Sequence, residues 1–152
     1  MNRKAFMMPL FLAGSLLVNG QSQSTTKPQS KVDGITTISY CELIQNASQY
    51  PNQQQVRVKA TWNYGFEWTY LYDRECMNLP KAWVEFVDED SLCAASKRSL
   101  KKMNPRRFDN KADVVIVGQL HDCGGCGHMG NYQYKFIVTC LENYKKIRAD
   151  VP

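Results

Sequence analysis

The chain has 152 residues, of which 43% are hydrophobic and 22% charged, and it carries a formal net charge of +5. These are ordinary values for a soluble globular domain, and they exclude collagen-like, coiled-coil and mostly disordered chains. The length suits one domain and excludes a large multidomain enzyme.

Residues 1–20 read as a secretory signal. Met1-Asn2-Arg3-Lys4 is basic, Ala5 to Val18 carries no charge, and Val18 and Gly20 stand at −3 and −1 of a cut before Gln21. An apolar stretch of about 14 residues falls short of the roughly 20 that a membrane span needs. Losing Arg3 and Lys4 leaves 17 basic and 14 acidic side chains, a net charge of +3. That mild excess is weak attraction for any polyanion, and nucleic acid is not an expected partner. The expectation is a secreted or periplasmic protein with no transmembrane segment once the signal is cleaved. Residues 21–34 are polar and are expected to be a flexible linker.

The domain is expected over residues 35–148. Thr36 to Tyr50 suggests a short helix that Ser39 can cap, with Cys41, Leu43, Ile44 and Ala47 on one side. Val56 to Trp62 alternates apolar and polar residues, the period of a half-buried strand. Phe66 to Asp73 and Lys81 to Val87 suit two more strands, being rich in aromatic and β-branched residues. From Asp90 or Ser91 to Met103 the period changes to that of a helix, with Leu92, Cys93, Ser96, Leu100 and Met103 along one face. Ala112 to Leu120 reads as a buried strand, Cys123 to Gly130 as a glycine-rich loop, and Tyr132 to Leu141 as the last strand.

A helix followed by three strands, a helix and two strands is the order of an all-β domain with accessory helices. The expected fold is a five-stranded OB-fold-like Greek-key barrel, β-β-β-α-β-β, preceded by a short helix. Tyr40-Cys41-Glu42-Leu43, leading to Gln49-Tyr50-Pro51 and then Val56-Arg57-Val58-Lys59-Ala60, resembles the opening of bacterial exported OB-fold-like proteins of unknown function. Gly65-Phe66-Glu67-Trp68 and Trp83-Val84-Glu85-Phe86 look similar too. The resemblance spans about residues 38–142, and it implies the fold and an exported protein rather than an activity.

Six cysteines lie beyond the signal: Cys41, Cys76, Cys93, Cys123, Cys126 and Cys140. An even number in an exported chain favours disulfides, although six cysteines allow 15 full pairings. Cys41 with Cys140 would tie the domain's ends together, and Cys76 with Cys93 would form a second bridge. His121-Asp122-Cys123-Gly124-Gly125-Cys126-Gly127-His128 holds the only two histidines. His121, Cys123, Cys126 and His128 are zinc-ligand types, so a Zn site is one reading, although four ligands so close together converge poorly. A local Cys123–Cys126 disulfide and pairing with distant cysteines are the others. A thiol-redox reading of the same pair lacks the helix N-terminus that would lower the first thiol's pKa.

Two groups point to a ligand. Lys97, Arg98, Lys101, Lys102, Arg106 and Arg107 form a basic run without acidic residues, and the first four concentrate charge on one helix face. An anionic glycan, a lipid surface or an acidic protein would suit it, against a bland solvated face. Trp68, Tyr70 and Tyr72 share strand parity with Phe66, so one face is aromatic, suiting stacking on a ligand. Core packing is the default use of such a face. No nucleophile elbow, phosphate-binding glycine loop or His-Glu-x-x-His motif is present. The sequence thus favours a disulfide-stabilised, non-enzymatic binding protein without a cofactor, with a metal-binding or thiol-redox protein as the alternative.

Overall fold

The computed structural model describes residues 34–51, 54–65, 67–103 and 110–147. The expected signal, the expected linker apart from Gly34, and Phe66, Arg106 and Arg107 lie outside them. Six strands form the sheet: β1 (Thr37–Ser39), β2 (Val56–Tyr64), β3 (Thr69–Tyr72), β4 (Ala82–Phe86), β5 (Asn110–Cys126) and β6 (Tyr132–Ile147). Two short helices accompany them, α1 (Tyr40–Gln45) and α2 (Ala94–Leu100).

The strand order is β1-β2-β3-β4-β6-β5, with a further β2–β5 pairing. Two of the pairings, β1–β2 and β4–β6, are parallel, and the rest are antiparallel. β1 and β3 follow one another along one edge of β2, while β5 takes the other edge along its full length. The expected five-stranded OB-fold-like Greek-key barrel is therefore corrected to a six-stranded mixed sheet with two helices. The extra strand is Thr37-Ile38-Ser39, which the sequence reading had placed in a helix. Three residues are too few to show a period, and their extended form comes from pairing with Arg57–Lys59.

Ser39 does cap the helix that follows: its Oγ accepts the Glu42 N–H at 3.1 Å, satisfying one of the donors that a helix start leaves free. α1 buries Tyr40, Leu43 and Ile44, and the Tyr40 hydroxyl donates to the Pro80 carbonyl at 2.8 Å. On β2, Val56, Val58, Ala60, Trp62 and Tyr64 point into the core, as their alternation requires. Leu71, Ile116, Phe136, Val138 and Leu141 close around them with almost no exposure. Each such side chain contributes roughly 1.5–3 kcal/mol by leaving water. At Gly118 a Cβ would overlap the Ile137 carbonyl and the Phe136 ring, so glycine lets β5 and β6 close up where their register shifts.

The disulfides are Cys41–Cys76, Cys93–Cys140 and Cys123–Cys126. The suggested Cys41–Cys140 and Cys76–Cys93 bridges are thus corrected, and the reason is topological. The β2–β3 hairpin carries the turn Arg74–Cys76 back to α1, whereas α2 lies on β6. Cys93, at the N-cap of α2, also donates its backbone N–H to Thr139, and buried Ser96 Oγ accepts the Leu141 N–H at 2.6 Å. α2 starts later than expected because Glu89–Ser91 is a separate 3-10 turn.

Candidate functional site

The pleat sends alternate residues of a strand to opposite faces. Since Leu71 enters the core, Tyr70 and Tyr72 lie on the opposite face of β3, half-buried. Core packing, the default use of this aromatic parity, is therefore corrected for these two rings. The cross-strand register extends their face in both directions. Lys111 stands opposite Asn63, Asn63 opposite Tyr70, Tyr70 opposite Trp83, Trp83 opposite Lys135, and Lys135 opposite His121. One continuous row thus crosses the sheet from β5 through β2, β3, β4 and β6 and returns to β5.

Tyr72 and Tyr132 lie beside this row, and Tyr132 links its two large rings. Tyr70 lies 5.8 Å from Tyr72 and 6.0 Å from Tyr132, and Trp83 lies 5.3 Å from Tyr132, centroid to centroid. Lys81 Nζ sits 4.6 Å above the centre of the Tyr70 ring, a cation–π contact. Asn63 Nδ2 donates to the Tyr70 hydroxyl at 2.7 Å, and Lys135 pairs with Glu85 at 3.1 Å. Burial, and after it the neighbouring Tyr70 phenol, raises the pKa of Tyr132, so its hydroxyl stays neutral well into alkaline solution.

The hairpin between β5 and β6 completes the face. Cys123–Cys126 closes its tip, and Gly127 follows at φ 70°, where a Cβ would overlap the Trp83 ring. Glycine is required there both for its backbone conformation and for the close approach. The next residue, His128, meets Trp68 edge to face at 5.4 Å. Met129 holds φ 56° and is 82% exposed, and Trp68 is 40% exposed. A non-glycine residue in the left-handed region is uncommon, and such residues gather at binding and active sites. Two buried side-chain atoms among the described residues have no hydrogen-bond partner, Asn63 Oδ1 and His121 Nε2. Both belong to the same cross-strand row. Unpaired buried polar atoms cost stability, and a fold bears such costs most often where it works.

The metal alternative is corrected by the same geometry. Cys123 and Cys126 are bonded to each other and offer no thiolate, His128 is committed to Trp68, and His121 lies in the row beside Lys135. Among the described residues no group of three or more His, Cys, Asp or Glu side chains could hold a metal ion. No helix among the described residues is long and apolar enough to cross a membrane.

The structure places Tyr70 and Tyr72 on one face of β3 and Trp68 just before that strand, against His128, with the basic group apart from them. Lys97 and Arg98 lie on α2, with Lys101 and Lys102 just after it. Lys97 and Lys101 share a surface hollow with Glu89, so an acidic side chain borders the positive patch. The sequence alone points to neither Trp83 nor Lys81 as a ligand contact. Trp83 had a signal: it shares strand parity with Glu85, a charged residue that belongs on the solvent side of a half-buried strand. No family model matches the chain, and no curated protein matches it. The resemblance to bacterial exported OB-fold-like proteins is accordingly withdrawn, lacking any matching relative and departing from the six-stranded mixed sheet.

Proposed function

We propose that the protein is a carbohydrate-binding protein that acts without catalysis, and that sugar rings stack on Trp68, Tyr70, Tyr72 and Trp83. The observation that carries this reading is the group of touching rings, Tyr70, Tyr72, Tyr132 and Trp83, held beside the cross-strand row. Pyranose rings present flat faces of C–H groups and a rim of hydroxyls. They suit aromatic platforms bordered by polar side chains such as Lys81, Glu85 and Lys135. The rings are already locked by Tyr132, Gly127 and the Asn63 hydrogen bond, so binding loses little side-chain entropy. Export to the periplasm or the medium, inferred from residues 1–20, would place such a face where polysaccharides are met.

Glycan-panel screening followed by calorimetry tests the reading with the wild type and Trp83→Ala. Wild-type protein should bind at least one oligosaccharide, and the variant should bind it about tenfold or more weakly. That loss corresponds to the ~1–3 kcal/mol that stacking on one aromatic ring contributes elsewhere. Because Trp83 also packs on Gly127 and Tyr132, Lys81→Ala serves as a gentler second variant with a several-fold loss. Unchanged affinity in both variants would sink the proposal.

A further inference from the structure

The aromatic face does not stop at Tyr72. Tyr72 stands opposite Thr61 on β2, Thr61 opposite Asp113 on β5, and Asp113 opposite Lys145 on β6. Thr61, Asp113 and Lys145 are walls of a cleft of about 530 Å³. The turn after β3 supplies Asp73, Arg74 and Glu75 to the same cleft, and Lys59 of β2 and Asn143 of β6 complete its polar lining. The aromatic rings therefore lead, on one face and in register, into a polar trough.

Charge in that trough decides what it takes. Lys59, Arg74 and Lys145 face Asp73, Glu75 and Asp113, three cations against three anions. A polyanion would gain nothing net from such a lining, and a nucleic acid or a sulfated chain would want the cations alone. A neutral polyhydroxylated chain is a different case, because each of its hydroxyls both donates and accepts. Asp113 is held through one oxygen only: Oδ1 accepts from Arg74 Nη2 at 3.0 Å and from the Thr61 hydroxyl at 3.4 Å. Its other carboxylate oxygen accepts no hydrogen bond among the described residues, and Asp113 lines the trough. Lys59 and Lys145 take part in no ion pair among the described residues, which leaves their ammonium groups as donors.

We infer that the ligand is a neutral oligosaccharide of several units that stacks on Trp83, Tyr70 and Tyr72 and runs on into the trough, where Asp113, Arg74 and Asn143 read its hydroxyls. This inference rests on the carbohydrate-binding reading and adds the ligand's length and charge. Length follows from the sheet. From β4 to β5 by way of β3 and β2 is three interstrand steps, about 14 Å, more than a single sugar ring spans. The trough gives specificity, since a site built from paired polar groups rejects a ligand that leaves them unpaired.

Calorimetry on the full chain tests it with glucose oligomers (α-1,4 and β-1,4) and N-acetylglucosamine oligomers, each of two to six units, and with galacturonate oligomers as the acidic arm. Affinity for one neutral series should rise about tenfold between two units and five or six. Asp113→Asn and Arg74→Ala should each remove most of that gain while leaving the dimer's affinity unchanged. Both side chains are about half exposed, so the fold should tolerate these changes, and an unshifted melting temperature would show it. Affinity that stays flat with length, a preference for galacturonate, or wild-type binding of hexamers by both variants would overturn the inference while the carbohydrate reading stands. Failure of every oligomer to bind would bring down both.

Discussion

Two regions of this protein stand out in the sequence for opposite reasons, the aromatic β3–β4 face and the basic helix α2. Both are clusters of one side-chain type, yet the fold treats them differently. The rings are gathered from three strands, β3, β4 and β6, and Lys135 and His121 join them from positions more than 50 residues beyond Tyr70. The cations of α2 come from a single stretch of seven helical residues and the turn after it, and Glu89 shares their hollow. A cluster assembled from distant elements must be held in one arrangement by the whole fold. A cluster already local in sequence needs nothing from the fold and owes it nothing, which makes the first the better guide to function.

The disulfides offer the sharpest way to test that contrast, because each region has its own. Cys93–Cys140 fastens α2 to β6 across 47 residues, and Cys123–Cys126 closes the tip beside Trp83 across three. By loop-closure entropy the first stabilises the fold by about 4 kcal/mol and the second by about 2 kcal/mol. Replacing Cys93 and Cys140 by Ala should therefore give the larger drop in urea midpoint and leave sugar affinity unchanged at temperatures where the protein stays folded. Replacing Cys123 and Cys126 should give the smaller drop and weaken sugar binding several-fold, since the tip positions Gly127 and His128. Equal effects on binding from both pairs would erase the distinction between the regions.

Much of this was legible in the sequence, and the misses share a cause. Alternation in Val56 to Trp62 marked β2, and the opposition of Leu71 to Tyr70 and Tyr72 is visible in the sequence, although parity alone does not say which side faces the core. The deciding fact is that Leu71 meets Trp62 across the sheet, which brings the leucine rather than the tyrosines inside. β1 left no trace because its three residues are extended only through their pairing with β2. Disulfide connectivity depends on which elements pack together, and spacing carries no such information. Within the site, Trp83 was recoverable from the parity of Trp83 and Glu85, whereas the place of Tyr132 beside it was not. Its contact with both Tyr70 and Trp83 depends on how the hairpin tip folds back, and four glycines at positive φ set that path in a way that sequence does not show.

Alkaline titration gives a smaller effect that separates the regions by their chemistry. Burial raises the phenol pKa of Tyr40, of Tyr64 and of Tyr132. At Tyr64 the hydrogen bond with the Tyr144 hydroxyl adds to the rise. In the unfolded chain tyrosines ionise near pH 10. A folded-state pKa above that value means that the stabilisation is fully present below about pH 10 and declines as pH rises further. Urea midpoints should therefore be level from pH 7 to 9 and fall by pH 11. Tyr132→Phe should flatten part of that fall, which would assign part of it to the aromatic face. All six cysteines are paired, so no thiolate is present to begin disulfide exchange during the titration. A midpoint unchanged between pH 9 and 11 would contradict the burial of these hydroxyls.

The smallest expected effect is the most useful for the contrast. Lys97, Arg98, Lys101 and Lys102 are to be changed together to Gln, which removes four positive charges and keeps long, helix-compatible side chains. Exposed substitutions of this kind usually shift stability by no more than about 0.5 kcal/mol each. Relief of repulsion between residues four apart, Lys97 with Lys101 and Arg98 with Lys102, works toward a slight gain. Sugar affinity should remain within about twofold of the wild type, because the patch contributes no side chain to the aromatic row or to the trough. Binding to vesicles containing anionic phosphatidylglycerol should be equally weak before and after the change. A loss of sugar affinity beyond tenfold, or strong vesicle binding that the change abolishes, would show that the local charge cluster works as a site in its own right. The principle that separates the two regions would then be wrong for this fold, since a cluster needing no tertiary assembly would have proved functional.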